Sequence, residues 1–155
     1  MIKILFVCHG NICRSPMAQY VMQDLVDKAE WSEMFEIDSA ATSREEIGNG
    51  IHYGTKRKLK EKGIVFGDHI ARQMTKEDYA YYDLLIGMEM VNVRNMMRIA
   101  GGDPEHKIYR ILDFTNRCAD IDDPWYTGDF DITYEQIVQG CEALLKHLTK
   151  EKSIL

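Results

Sequence analysis

The stretch Phe6-Val7-Cys8-His9-Gly10-Asn11-Ile12-Cys13-Arg14-Ser15-Pro16, FVCHGNICRSP, joins an apolar run to a segment with helical spacing. Residues 1–7 are apolar and β-branched with one lysine, which predicts a short buried strand. Ser15-Pro16 is typical of a helix start, because serine caps helices and proline suits the first turn. Backbone N–H groups and the helix dipole favour anions in such a loop. The stretch therefore predicts an α/β fold with an anion-binding loop at residues 8–14.

Strand and helix patterns alternate along the rest of the chain. The final helix carries one apolar stripe, formed by Tyr134, Ile137, Val138, Cys141, Leu144, Leu145 and Leu148. Alternation of this kind predicts a parallel sheet with helices on both faces. Further strands are predicted at 34–38, 82–88 and 107–112, and further helices at 18–29, 55–62 and 90–99.

The chain's length and composition indicate an ordinary globular protein. Its 155 residues suit one domain, and 45% are hydrophobic and 28% charged. The net charge of -6 argues against a nucleic-acid partner. No apolar run approaches the roughly 18 residues that span a membrane. The run at residues 4–8 is shorter than a signal-peptide core of about 7–15 residues. We therefore expect a cytoplasmic protein without a membrane partner.

The four cysteines are predicted to be thiols. Cys8, Cys13, Cys118 and Cys141 form no CxxC pair, so neither a structural zinc site nor a disulfide framework is expected. Cys8 stands six positions before Arg14. Arginine binds phosphate oxygens in a bidentate manner, and an arginine beside a helix N-terminus favours the thiolate form of cysteine.

The C-x5-R spacing would put a thiolate below a bound tetrahedral anion, which is a geometry for nucleophilic attack on phosphorus. Gly10 and Asn11 suit the positive φ angles that such a loop requires. A purely structural interpretation remains open at this point: Cys8 would be the small apolar end of a strand, and Arg14 a surface residue of the helix.

Cys8-His9-Gly10-Asn11-Ile12-Cys13-Arg14-Ser15-Pro16 resembles the C-x-G-N-x-C-R-S-P signature of the low-molecular-weight protein tyrosine phosphatases. The resemblance continues, in the family's order, at residues 38–43 (DSAATS), 71–75 (ARQMT) and 123–126 (DPWY). It covers essentially the whole chain. It implies that residues 1–155 form a single doubly wound α/β domain with a four-stranded parallel sheet in the order 2-1-3-4.

The resemblance also implies a mechanism. Cys8 would be the nucleophile that forms a phosphocysteine, and Arg14 would bind the phosphoryl oxygens and stabilise the transition state. Asp123 would be the general acid and then the base, because the family places this residue immediately before proline; chemistry alone does not choose between it and Asp122. No metal or other cofactor is implied. The phosphate-binding loop would comprise His9, Gly10, Asn11, Ile12, Cys13 and Ser15.

The matching family positions assign further roles around the loop. Ser39 and His69 would support the loop from behind, and Cys13 would be a redox guard that forms a reversible disulfide with Cys8. The substrate slot would be lined by Ile12, Glu45, Trp125 and Tyr126.

Such an aromatic slot fits phosphotyrosine proteins or peptides and small aryl phosphates, with inorganic phosphate, sulfate or vanadate as active-site anions. Glu45 stands where many members have an aromatic residue, so we expect a preference for basic flanking sequences and only one aromatic wall, unless Tyr53 folds inward.

Three other functions remain as alternatives. An arsenate reductase uses the same loop but needs two further cysteines close together, whereas Cys118 and Cys141 are far apart in sequence. A protein arginine phosphatase tends to have threonine where this chain has Ile12. A binding module would recognise phosphotyrosine without turnover, which the presence of Cys8, Arg14 and Asp123 disfavours.

Overall fold

A computed structural model of the chain describes residues 1–152. Within them lies one four-stranded sheet, formed by β1 (Ile2–Cys8), β2 (Phe35–Ala41), β3 (Leu84–Gly87) and β4 (Ile108–Arg110). The strands are all parallel and follow the order β2-β1-β3-β4. The predicted fold class and strand order are therefore confirmed.

The two faces of the sheet are covered by different helices. Alternate side chains of β1 point to opposite faces, so Ile4, Phe6 and Cys8 enter one buried cluster while Leu5 and Val7 enter another. The first cluster includes side chains of α1 and α6, and the second includes those of α3 and α4. The helices are α1 (Arg14–Lys28), α2 (Tyr53–Glu61), α3 (Lys76–Tyr81), α4 (Met90–Ala100), α5 (Pro124–Thr127) and α6 (Phe130–Lys152).

Some element boundaries differ from the sequence predictions. No element is predicted at residues 76–81, where the structure has α3. A reciprocal capping box between Thr75 and Asp78 starts this short helix. The fourth strand ends at Arg110 rather than at residue 112, because a 3₁₀ helix, Ile111–Phe114, follows it.

The start of α1 also differs. The helix begins at Arg14 with Cys13 at the N-cap position, so Ser15 does not cap it. The Ser15 hydroxyl turns instead toward the sulfur of Cys8, 3.0 Å away.

The carboxyl ends of the strands meet at one edge of the sheet, where ligands bind in open α/β folds. The loops after β1 and β2 are joined there, since Thr42 N–H donates to the Cys8 carbonyl (2.9 Å) and Ser43 N–H to the His9 carbonyl (3.1 Å). None of the helices within residues 1–152 combines the length and apolar character needed to cross a membrane.

Candidate active site

The segment between β1 and α1, which we call the phosphate loop (residues 8–15), curls around the sulfur of Cys8. The Asn11 backbone N–H donates to Cys8 Sγ at 3.2 Å, and Ser15 Oγ lies 3.0 Å from the same sulfur. Asn11 adopts a φ of 61°, in the left-handed region that asparagine tolerates better than most residues. This turn directs the backbone of the loop around one thiol.

A buried network holds the phosphate loop from behind. The Asn11 side-chain amide donates to Ser15 Oγ (2.8 Å) and to Ser39 Oγ (3.0 Å). Its carbonyl oxygen lies 2.8 Å from His69 Nε2 and accepts from the Arg72 backbone N–H at 3.3 Å. Ser39 and His69 therefore contact the loop at the positions predicted for supporting residues. Burial is the largest influence on the His69 imidazole and lowers its pKa, which favours the neutral form.

Arg14 is the first residue of α1 and is buried, with only 3% of its surface exposed. Its guanidinium donates from Nη1 to the Ile121 carbonyl at 2.9 Å and lies 2.5 Å from Glu89 Oε1. Nη2 lies 3.4 Å from Asp123 Oδ2. Glu89 and Ile121 are not among the predicted site residues. By the resemblance described above, Glu89 stands at a helix start where the family often has aspartate, which is a conservative change. A backbone carbonyl such as that of Ile121 carries no sequence signal.

The second half of the site comes from the acid segment (residues 121–127). Asp123 is the N-cap of α5, and its Oδ1 accepts from the Trp125 backbone N–H at 3.0 Å. The backbone N–H groups of Tyr126 and Thr127 both donate to the Asp123 carbonyl at 3.1 Å. Asp123 lines the cavity described next, and Asp122 is not among its lining residues.

A cavity of about 260 Å³ separates the phosphate loop from the acid segment. Trp125 and Tyr126 stand at its edge, with 63% and 84% of their surfaces exposed. Ser15 lies behind Cys8 and does not line the cavity. The lining residues are Cys8, His9, Gly10, Asn11, Ile12, Cys13, Arg14, Glu45, Glu46, Asp123, Trp125 and Tyr126.

Part of the cavity lining is acidic. Glu45 lines the cavity as predicted, and its carboxylate lies 2.9 Å from His9 Nε2. Glu46 also lines the cavity, although it is not among the predicted slot residues. Tyr53 does not fold inward: it is 73% exposed and stacks on His52, with 4.6 Å between ring centroids. The aromatic wall is therefore formed by Trp125 and Tyr126.

The four cysteines are free thiols in different environments. Cys13 is buried beside Cys8, and burial followed by the charge of Cys8 raises the pKa of Cys13 to about 12. Cys141 is fully buried within α6, which raises its pKa above the ordinary range. Cys118 is exposed in the loop that precedes the acid segment. Of the four, only Cys8 and Cys13 line the cavity.

The chain is similar to known proteins over nearly its whole length. Residues 3–154 match the family model for low molecular weight phosphotyrosine protein phosphatases. The Bacillus subtilis low molecular weight protein-tyrosine-phosphatase YfkJ is 40% identical over 156 residues, which cover 99% of this chain and 100% of YfkJ. The Homo sapiens low molecular weight phosphotyrosine protein phosphatase is 37% identical over 160 residues, covering 93% of this chain and 94% of that protein.

Solved structures show the same fold. The crystal structure of YfkJ superposes with a TM-score of 0.94, covering 98% of this chain and 97% of that one. A Drosophila arginine phosphatase is 26% identical, with a TM-score of 0.84 and coverage of 94% and 97% of the two chains. The match over nearly the whole sequence and the shared fold lead to one assignment: the chain belongs to the low molecular weight phosphotyrosine protein phosphatase family.

Proposed function

We propose that this chain is a cysteine-dependent protein tyrosine phosphatase that hydrolyses phosphotyrosine and small aryl phosphates through a phosphocysteine intermediate. The observation that carries the proposal is the meeting of three groups in one cavity. The Cys8 sulfur lies at the base of the phosphate loop, the Arg14 guanidinium lies beside the loop, and the Asp123 carboxyl lies 3.4 Å from that guanidinium.

In the first step, the Cys8 thiolate attacks phosphorus and a sulfur–phosphorus bond forms. The bond between phosphorus and the phenolic oxygen breaks, and protonated Asp123 gives its proton to the departing oxygen. The backbone N–H groups of the phosphate loop and the fixed Arg14 guanidinium stabilise the charge on the equatorial oxygens. Because Arg14 is held by Ile121 and Glu89, it needs little reorganisation when the phosphoryl group arrives.

In the second step, water attacks the phosphorus of phosphocysteine and the sulfur–phosphorus bond breaks. Asp123, now ionised, takes a proton from that water, which yields inorganic phosphate and regenerates the thiolate. The Ser15 hydroxyl, 3.0 Å from Cys8 Sγ, can donate a hydrogen bond to sulfur as negative charge returns to it. The buried network of Asn11, Ser39 and His69 keeps the loop in shape through both steps.

The lining of the cavity favours a phenolic substrate. Trp125, Tyr126 and Ile12 offer apolar contact to an aromatic ring above the phosphoryl group. Glu45 and Glu46, which also line the cavity, favour basic residues near the phosphotyrosine and disfavour acidic ones. Phosphate, sulfate and vanadate are expected to compete for the phosphate loop. Arginine phosphatase activity is the second candidate, because a structural neighbour is described as an arginine phosphatase.

The geometry disfavours an arsenate reductase. That chemistry would pass a disulfide from Cys8 to two further cysteines, yet Cys141 is buried in α6 and Cys118 is exposed in a loop.

Cys13 is proposed as the redox guard of Cys8. Both thiols line the same cavity, and the two residues are separated by one short turn of the phosphate loop. A peroxide would oxidise the Cys8 thiolate to a sulfenic acid and would itself be reduced to water or an alcohol. The Cys13 thiol would then displace water from the sulfenic acid and form a disulfide, which thiol reductants reverse. We also propose that residues 1–155 form one domain that works in the cytoplasm, where a reducing environment maintains the thiols.

The test is a comparison of phosphate release from phosphotyrosine, phosphoarginine and phosphoserine peptides of matched sequence. Cys8→Ser serves as the blank. We expect repeated turnover of phosphotyrosine and slow turnover of the other two. Faster turnover of phosphoarginine would replace the tyrosine assignment, and release of no more than one equivalent would indicate a binding module instead.

A further inference from the structure

His52, at the N-terminus of α2, contacts both halves of the active site without lining the cavity. Its backbone N–H donates to the carbonyl of Ile12 in the phosphate loop at 2.8 Å. Its ring lies 5.9 Å from the ring of Trp125 in the acid segment, edge to face at 72°. The same ring stacks on Phe130, the first residue of α6, at 5.5 Å and 17°. One residue therefore connects the loop that holds the phosphoryl group with the segment that carries Asp123.

The surroundings of His52 form a close-packed joint between α2 and α6. A Cβ at Gly54 would overlap the ring of Phe130, so a larger residue at this position would displace that ring. One turn further along α2, the ammonium of Lys58 bridges the carboxylates of Glu61 and Asp131. These contacts fix the His52 ring relative to the start of α6.

Trp125 depends on this joint for its position. It is 63% exposed, and among residues 1–152 the aromatic ring that it packs against is that of His52. Its backbone N–H donates to Asp123 Oδ1 at 3.0 Å, so a shift of Trp125 is passed to the Asp123 carboxyl. Arg14 restrains the other oxygen of that carboxyl at 3.4 Å.

We propose that His52 is a positioning residue, which braces Trp125 with its ring and thereby orients Asp123 over the phosphate loop. The proposal rests on the proposed function for the role of Asp123 as the acid. It adds a residue outside the cavity whose loss changes proton transfer to the leaving group. Edge-to-face aromatic pairs have a preferred geometry, and they stabilise it beyond the area that they bury.

His52 has a second role that must be separated from the first. Its Nδ1 accepts the Gly54 backbone N–H at 3.0 Å and so caps α2. Asparagine retains a capping acceptor but has no ring, whereas phenylalanine retains a ring but cannot cap. The variants His52→Asn and His52→Phe therefore separate the effect of the ring on Trp125 from the effect of the helix cap.

The experiment combines kinetics with fluorescence. kcat and KM are measured with phenyl phosphate, a poor leaving group, and p-nitrophenyl phosphate, a good one. The anisotropy of Trp125 is measured in a Trp31→Phe background, since the chain has two tryptophans. His147→Ala is the matched control, because it removes an exposed histidine ring that packs on Phe114 away from the cavity.

We expect His52→Ala and His52→Asn to lower kcat/KM for phenyl phosphate by about tenfold to a hundredfold, since small misplacements of a catalytic group have such costs. In the same two variants, the loss of kcat/KM is smaller for p-nitrophenyl phosphate, and the anisotropy of Trp125 falls. His52→Phe keeps both kcat/KM for phenyl phosphate and the anisotropy of Trp125 near their wild-type values. The control behaves like the wild type.

Three results would overturn the proposal. The first is rescue by His52→Asn but not by His52→Phe, which would leave only the helix cap. The second is an equal loss with both leaving groups, which would break the connection to Asp123. The third is unchanged Trp125 anisotropy in His52→Ala, which would show that the His52 ring does not hold Trp125 in place. This readout does not depend on catalysis, so it tests the contact even if the wild type hydrolyses neither ester.

Discussion

The phosphate loop and the acid segment face the same cavity, but they are held in place in opposite ways. In the phosphate loop, Asn11, Arg14 and Ser15 are buried, and their polar groups are paired with the protein. In the acid segment, Trp125 and Tyr126 are mostly exposed. The phosphate loop is therefore a buried, hydrogen-bonded site, whereas the acid segment is a surface turn held by a small number of contacts.

This difference indicates that the two regions recognise different parts of the substrate. The phosphoryl group presents the same oxygens in every substrate, so a rigid site that recognises it can be buried and fully hydrogen-bonded. The leaving group and its flanking sequence vary, so the residues that meet them lie where the surface is accessible. Substitutions of buried residues in the loop should therefore change stability and chemistry together, and those of exposed residues in the acid segment should change chemistry alone.

The largest expected effect comes from Asp123→Asn. Asparagine can still accept the Trp125 N–H and cap α5, so the fold should persist. Without a general acid, kcat/KM for phenyl phosphate should fall by about 10²–10⁴-fold, and much less for p-nitrophenyl phosphate. Steady-state kinetics measure this, with Asp122→Asn as the control. An equal loss in the control would contradict a specific role for Asp123, and a loss confined to the control would assign the acid to Asp122.

Asn11→Ala and Tyr126→Ala compare the two regions directly. Asn11→Ala removes a buried amide and puts alanine at a φ of 61°, so the free energy of unfolding should drop by about 1–3 kcal/mol. Tyr126 is 84% exposed, so its truncation should cost about 0.5 kcal/mol or less while raising KM for aryl phosphates. Urea unfolding measures both. Equal destabilisation would refute the contrast in how the two regions are held.

Glu45→Gln tests the acidic wall. The carboxylate is exposed and already lies 2.9 Å from His9 Nε2, so its effect on a substrate charge should be modest. The ratio of kcat/KM for basic over acidic phosphotyrosine peptides should fall by about fivefold or less, the equivalent of roughly 1 kcal/mol for an exposed pair. Glu33→Gln is the control, because Glu33 lies in a separate 3₁₀ helix, Ser32–Met34, and does not line the cavity. An unchanged ratio would remove Glu45 from substrate selection.

The smallest effect is a pH dependence of stability. Burial lowers the pKa of His69 below 6.5 despite the opposing Asp38 carboxylate, so the folded state binds a proton less readily than the unfolded state. The contribution of His69 to stability is full above the unfolded pKa and is lost as the pH falls through the folded pKa. In urea unfolding between pH 8 and pH 5, wild type and His69→Gln should converge at low pH. A constant difference would contradict this.

Much of the fold could be predicted from local patterns. The alternation of apolar strands and amphipathic helices gives a parallel sheet, and the final helix follows from its stripe of apolar residues, which the structure buries at Ile137, Cys141, Leu144 and Leu148. Helix α3 was missed because six residues are too short for a clear period. The end of β4 was misplaced because an apolar run fits both a strand and the 3₁₀ helix that follows it.

In the site, too, features within one continuous segment could be predicted, and contacts between distant segments could not. The phosphate loop is one continuous segment, so its spacing alone suggested an anion site. The contacts of Arg14 with Glu89 and with the Ile121 carbonyl join residues that are distant in sequence, and a backbone oxygen leaves no mark in a side-chain pattern. The contact of His52 with Trp125 was missed for the same reason, since a histidine ring among aromatic residues has no fixed spacing from them.

The central claim is that Cys8 carries the phosphoryl group during turnover. Rapid acid quenching during hydrolysis of an aryl phosphate, followed by peptide mass spectrometry, tests it most directly. We predict one phosphoryl group on the sulfur of Cys8, with more of it trapped in Asp123→Asn, where water is poorly activated. A phosphoryl group on another residue, or steady turnover by Cys8→Ser, would contradict the account.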